Sequence, residues 1–202
     1  MKKQAGFTLV EIAIVMVIIG LLLGGVLKGQ EIITNAKARN IENEFNGVTA
    51  AIYSYQDRYR AYPGDDRTAD RWTNANVSAA NERGNGKIEG EFDSITDTDE
   101  SRLLWQHLRN ARLIAGGTTD VTQPNNTFGG ITGVSMAPPA GGVTIPWLFI
   151  GFTNIPQNIA LIIEARLDDG GTQTGTVQAQ LNAGTAATAY AVDQMYILFF
   201  AL

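Results

Sequence analysis

Gly6-Phe7-Thr8-Leu9-Val10-Glu11 joins a short basic leader, Met1 to Gly6, to an apolar run that reaches Leu27. A single charge, Glu11, interrupts that run. About 21 residues of helix span roughly 31 Å, enough to cross the hydrocarbon core of a bilayer. An ionised carboxylate inside such a segment costs on the order of 3 kcal/mol even on lenient insertion scales. Some partner or role for Glu11 must offset that cost.

A basic start followed by an apolar core also describes a secretory signal or a plain membrane anchor. A secretory signal, however, has a core of about 7 to 15 residues with its small-residue cleavage site after the core. Here the run is longer, and Ala36-Lys37-Ala38 lies well past it. The small residue at a junction is Gly6, ahead of the run. This arrangement of a basic leader ending in Gly, then Phe, then Glu at the fifth position, resembles the class III signal of type IV pilins and type II secretion pseudopilins. The resemblance implies that a prepilin peptidase cuts between Gly6 and Phe7 and methylates the new amino group of Phe7. It implies that the apolar segment stays as an anchor in a bacterial inner membrane. Later it becomes the packed core of a periplasmic or cell-surface filament built from this chain or related pilins.

Cleavage places Glu11 one helical turn from the Phe7 amine, where i,i+4 pairing and the helix dipole both favour a negative charge. In filaments of this family the resemblance implies a second use. Glu11 of one subunit meets the Phe7 amine of its neighbour, and the cost of leaving either unpaired sets the axial register.

The chain has 202 residues. It divides into a leader (1–6), a membrane or filament-core helix (7–27), an amphipathic continuation (28–61) and a globular domain (62–202) large enough for its own core. Net charge is −5, and loss of Lys2 and Lys3 with the leader makes the chain more acidic still. No nucleic-acid partner is expected of such a surface. Lys2 and Lys3 ahead of the span fit a cytoplasmic N-terminus. There is no cysteine, so an exported domain must rely on packing or a metal rather than disulfides. The lack of a C-terminal cysteine pair departs from many type IVa major pilins and tilts the resemblance toward pseudopilins or a Cys-free pilin group.

Beyond Leu27, Ala38, Ile41, Phe45, Val48, Ile52, Tyr55, Tyr59 and Tyr62 recur at spacings of three and four, which predicts a helix with one apolar stripe docked on a sheet. Pro63 disfavours helical geometry at Tyr62, so the helix should end by about Ala61, roughly 80 Å from Phe7. Gly20, Gly24, Gly25 and Gly29 form small-xxx-small patterns that let helices approach closely in lipid.

From Tyr62 to Glu100 the sequence is loop-like and acidic. Asn81, Asn85, Gly86 and Ile88 echo a calcium loop, but Arg83 stands at a ligand position and Phe92 replaces the terminal Glu, so the EF-hand match fails. Tyr62-Pro63-Gly64-Asp65-Asp66, Gly84-Asn85-Gly86 and Leu167-Asp168-Asp169-Gly170 resemble segments recurrent in a subset of bacterial prepilin-type proteins. If the two acidic segments converge, Asp65, Asp66, Asn85, Asp168 and Asp169 offer oxygen ligands suited to calcium, at one site or at more than one. Asp168 and Asp169 also conflict with the dipole of the helix expected before them.

That helix runs from a cap at Asn154 or Gln157 to Gly170, with Ile159, Ile162, Ile163 and Leu167 inward. A second helix starts with Asp97 as cap and Glu100 three residues on, and ends at Gly116. Strands are expected at Val143 to Phe152, Thr174 to Leu181 and Tyr190 to Leu202, with a short one around Ile131 to Met136. The fold class is therefore α+β, a long N-terminal helix on a C-terminal antiparallel sheet with extra short helices, as the resemblance also implies.

Enzyme readings fare poorly. Gly133-Val134-Ser135-Met136-Ala137 is one residue from a nucleophile elbow, but the lone histidine, His107, lies upstream of it, opposite to hydrolase order. No phosphate loop or metal triad is evident. The chain reads as a structural subunit and not an enzyme. The alternative from another class is a membrane-anchored binding module or enzyme that does not polymerise.

Overall fold

The computed structural model describes residues 8–79, 82–139, 143–145 and 147–202. Within it the chain separates into two units, Met1–Lys37 and Ala38–Leu202.

Helix α1, Leu9–Tyr59, contributes to both units. In the first unit every described side chain from Thr8 to Lys28 is exposed. In the second, Ala38, Ile41, Val48, Ala51, Ile52 and Tyr55 are buried, and Phe45, Tyr59 and Tyr62 pack at the edge of the same core. This is the stripe read from the sequence, with Ala51 added. Arg60, at φ 56°, ends the helix in the left-handed region, two residues before the position that Pro63 restricts.

Helix α2 spans Glu100–Asn110 and α3 spans Gln157–Leu167. Four strands, β1 (Thr132–Ser135), β2 (Phe149–Pro156), β3 (Val177–Leu181) and β4 (Met195–Ala201), form one sheet among the described residues. Its order is β1-β2-β4-β3, with every pairing antiparallel.

The period-two alternation of strands sorts the sheet's side chains into two layers. Val134, Ile150, Phe152, Val177, Ala179, Leu198 and Phe200 join the buried α1 residues, Leu104, Trp105 and Leu108 of α2, and Ile159 and Ile163 of α3 in the main core. Phe149, Ile197 and Phe199 face the other way, where Phe92, Val143 and Ile145 cover them. A long N-terminal helix packed on a four-stranded antiparallel sheet, with extra short helices, is a pilin-like α+β fold.

Several boundaries differ from expectation. Asn154 does not cap α3. It sits at φ 65° in β2, where the register with β4 slips between Phe152 and Ile155, and this bulge turns the strand toward Pro156. Leu167 is 45 % exposed and not inward. Asp97 does not cap α2. Asp99 holds the N-cap position without a side-chain cap bond, and Asp97 instead pairs with Arg102 at 2.9 Å.

Candidate functional site

The N-terminal turn of α1 carries the residues of greatest interest. Glu11 Oε2 accepts hydrogen bonds from the Thr8 amide (2.8 Å) and hydroxyl (2.7 Å), and the Glu11 amide donates to Thr8 Oγ1 at 3.2 Å. Thr8 and Glu11 thus form a reciprocal capping box at the helix start. Thr-x-x-Glu before an apolar run is the sequence signal for such a box, and the reading of Glu11 as partner of Phe7 passed over it. Gly6 and Phe7, where the cleavage, methylation and amine-pairing expectations fall, lie outside the described residues. Downstream, α1 is long and apolar enough to cross a membrane, and none of its most apolar window is buried.

Asp65, Asp66 and Asn85 are held in place by protein donors. Asp65 accepts the backbone amides of Gly84, Asn85 (3.0 Å) and Gly86 (2.7 Å), so its carboxylate closes the Gly84-Asn85-Gly86 turn. Burial raises the Asp65 carboxyl above its ordinary range against the pull of those amides. Asn85 Oδ1 accepts the Lys87 amide at 2.8 Å.

Asp66, almost wholly buried, receives the Tyr55 hydroxyl at 2.7 Å and the Arg71 guanidinium at 2.8 Å on Oδ2. Its Oδ1 takes the Thr68 amide and hydroxyl. Burial alone would raise the Asp66 carboxyl, but these donors outweigh it and hold the group below its usual range. Arg71 also lies over the rings of Tyr59 (4.4 Å) and Trp72 (4.6 Å). Gly64, at φ 95°, lets the chain pass against the Glu100 carbonyl, where a Cβ would collide.

His107 and Ser135 have structural surroundings. His107 is fully buried; its Nδ1 accepts the Gly64 amide at 2.9 Å, and Nε2 lies 2.9 Å from the Asn76 carbonyl. Burial lowers its proton affinity, so it is neutral with the proton on Nε2. Ser135 lies inside β1, donates to the Gly90 carbonyl at 2.6 Å and accepts the Ala137 amide at 2.8 Å.

The second acidic segment takes a different partner from the one expected. Asp168 and Asp169 converge with Glu164 of α3, each offering an oxygen within 4.8 Å of the others. Among the described residues this group includes none of Asp65, Asp66 and Asn85. Burial pushes the Glu164 carboxyl up to about 7, Asp168 and Asp169 push the same way, and the Tyr190 hydroxyl and Gly170 amide pull against them. Glu164 escaped the sequence reading because a lone Glu in an apolar helix reads as a solvated position. Its spacing of four from Asp168 was the available signal.

The fold and the N-terminal segment together define a pilin-like α+β chain with a prepilin-type amino terminus. Residues 1–27 match the family described as the prokaryotic N-terminal methylation motif, the signature of type IV pilins and pseudopilins. Comparison with curated proteins and with solved structures gave no match.

Proposed function

We propose that the chain is a structural subunit of a type IV pilus or a type II secretion pseudopilus, made as a membrane-anchored precursor. Prepilin peptidase removes Met1 to Gly6 and methylates Phe7. The N-terminal helix then leaves the inner membrane to pack with copies of itself or related pilins. The single observation that carries this reading is the methylation motif at residues 1–27. It falls on a segment whose side chains from Thr8 to Lys28 are all exposed. Such an apolar surface needs lipid or other helices around it.

Glu11 fits both settings. In the membrane Thr8 supplies two donors to Oε2, which reduces the cost of the buried charge. In the filament the Phe7 amine of a neighbour adds a further donor to the Glu11 carboxylate.

Mass spectrometry of the membrane-extracted chain tests processing, with loss of Met1 to Gly6 and one methyl group on Phe7 expected. An intact leader, or a cut after Ala38, would sink the proposal in favour of a non-polymerising anchored module. Glu11→Ala should still be cleaved and inserted but enter filaments at a small fraction of the wild-type yield, read by immunoblot of the sheared or secretion-system fraction. Wild-type yield would remove Glu11 from assembly.

A further inference from the structure

On the second layer of the sheet a cleft of about 250 Å³ opens between residues 91–93, residues 137–139 and the turn at 182–184. Phe92 and Ile197, each 5 % exposed, form its apolar wall. Gln180, the partner of Ile197 in the β3–β4 ladder, lines the cleft beside them and is 3 % exposed. Its Oε1 is buried and accepts no hydrogen bond. An amide oxygen held dry without a donor is costly, and native structures rarely leave one. The rim is acidic. Glu91 and Asp93 line it, both are exposed, and neither side chain has a hydrogen-bond or ion-pair partner among the described residues. Among the described residues no Lys or Arg lines the cleft to balance them. The walls are already fixed. Phe92 is fitted against Gly133 and Gly151, and in the turn the Asn182 amide donates to the Met195 carbonyl at 2.9 Å and the Gly184 amide to the Leu181 carbonyl at 2.8 Å.

We propose that this cleft binds an arginine side chain presented by another protein chain. The buried oxygen needs an N–H donor, and the two rim acids favour positive charge. A guanidinium supplies both at once, because its donors leave in a planar fork and its charge is permanent. The terminal torsion of glutamine is soft, so the Gln180 amide turns its oxygen toward an incoming donor. A lysine ammonium is a more strongly hydrated point charge and loses more on entering a cleft with an apolar wall. A bare metal ion would leave Phe92 and Ile197 against its hydration shell, whereas the arginine stem covers them. Size selects the source. The cleft falls below the roughly 300–1,000 Å³ of ordinary small-molecule sites, and Pro138, Asn182 and Ala183 at its mouth are exposed. It therefore takes one side chain and leaves the rest of the ligand outside, as a residue projecting from a larger body does. All its residues belong to the unit Ala38–Leu202. The site does not depend on the filament reading, and either can fail alone.

The test is an NMR titration of the full chain in detergent, isotope-labelled at glutamine and glycine nitrogens, with the blocked tripeptide N-acetyl-Gly-Arg-Gly amide. The Gln180 side-chain resonance, identified by its loss in Gln180→Leu, should shift and saturate. The citrulline counterpart, which keeps the shape without the charge, and the lysine counterpart should each bind about tenfold more weakly. Gln180→Leu removes the unpartnered amide and keeps the bulk. It should melt at or above wild type, yet bind the arginine peptide about tenfold more weakly, followed at the Gly184 amide. Asp93→Asn, at an exposed position, should weaken binding roughly threefold, while Asp57→Asn, which removes the same charge elsewhere, should leave it unchanged. The proposal is overturned by an arginine peptide that does not saturate, by citrulline or lysine peptides that bind as tightly, or by an affinity indifferent to both Gln180→Leu and Asp93→Asn. Tighter binding of N-acetyl-arginine amide than of the tripeptide would overturn the protein source, by assigning the cleft to a small organic cation.

Discussion

Glu100 stands at the head of α2 and is 1 % exposed. Its two oxygens accept the Ser78 hydroxyl at 2.7 Å and the Glu89 amide at 3.1 Å. Burial pushes its carboxyl up to about 7, Asp65 and Glu89 add to that, and the two donors oppose it. Between the ordinary value of 4.5 and about 7 the folded chain holds a proton that the unfolded chain has released, so this group's contribution to stability falls as pH rises through that window. Glu100→Gln should therefore gain on wild type between about pH 5 and pH 8, by on the order of 2 kcal/mol, in urea unfolding of the detergent-solubilised chain. A difference that does not change with pH would show that Glu100 does not titrate in this range. His107 acts oppositely, because a neutral buried imidazole loses stability as pH falls below 6.5. For that reason the variant difference, and not the raw profile, carries the test. In the sequence Glu100 reads as the third residue of a capping box with Asp97, a pattern that matches the spacing but misses the hydrogen bonds. Ser78 and the Glu89 amide reach Glu100 from 22 and 11 residues away, and no local pattern encodes such partners.

Among the elements, β1 and β2 owe their close cover to two glycines. Phe92 lies across both strands, and a Cβ at Gly133 or Gly151 would collide with its carbonyl or its ring. Phe92 in turn meets Phe199 edge-on at 5.1 Å. Gly133→Ala should destabilise the sheet by about 2 kcal/mol, because the obstacle is backbone and cannot rotate away. Urea unfolding measures it, and a loss below about 0.5 kcal/mol would mean that the 92 segment is free to shift. The helices were legible because the α1 stripe keeps a strict spacing of three and four from Ala38 to Tyr55. The strands were legible as apolar runs but not as paired segments. Val143 and Ile145 belong to the run expected to begin β2, yet the strand starts at Phe149, and the two earlier residues roof the second layer instead. Hydrophobicity marks what is buried, whereas pairing depends on where the partner strand lies. Leu167 misled in the same way, since α3 ends in that turn and its last apolar residue faces outward.

At the scale of the molecule, the N-terminal reading rests on spacing alone: Gly6 and Phe7, which lie outside the described residues, Glu11, and the apolar run that continues from it to Leu27. The group of carboxyls at the end of α3 was half legible. Asp168 and Asp169 announced themselves by standing at a helix C-terminus, while Glu164 needed the burial of α3 to become visible. Asp65, Asp66 and Asn85 shared the acidic composition but serve to lock the 64–86 segment.

The order β1-β2-β4-β3 puts the last strand in sequence between the two that precede it, and β2 and β3 have no ladder with each other. β2 can pair with β1 beforehand, but among the described residues β3 has its only strand ladder with Met195–Ala201, which also completes β2. In the anchored precursor proposed above, whose amino end stays on the cytoplasmic side while the residues after α1 are threaded across, the four-stranded sheet cannot close before the last strand has crossed. Nascent chains arrested at residue 190 should be cut rapidly by a protease that spares the released chain. Comparable resistance at both lengths would mean that the helices and β2 form a stable body before the sheet is complete. The last strand is the sheet's latch: under the proposed export, the four strands join only when the end of the chain arrives.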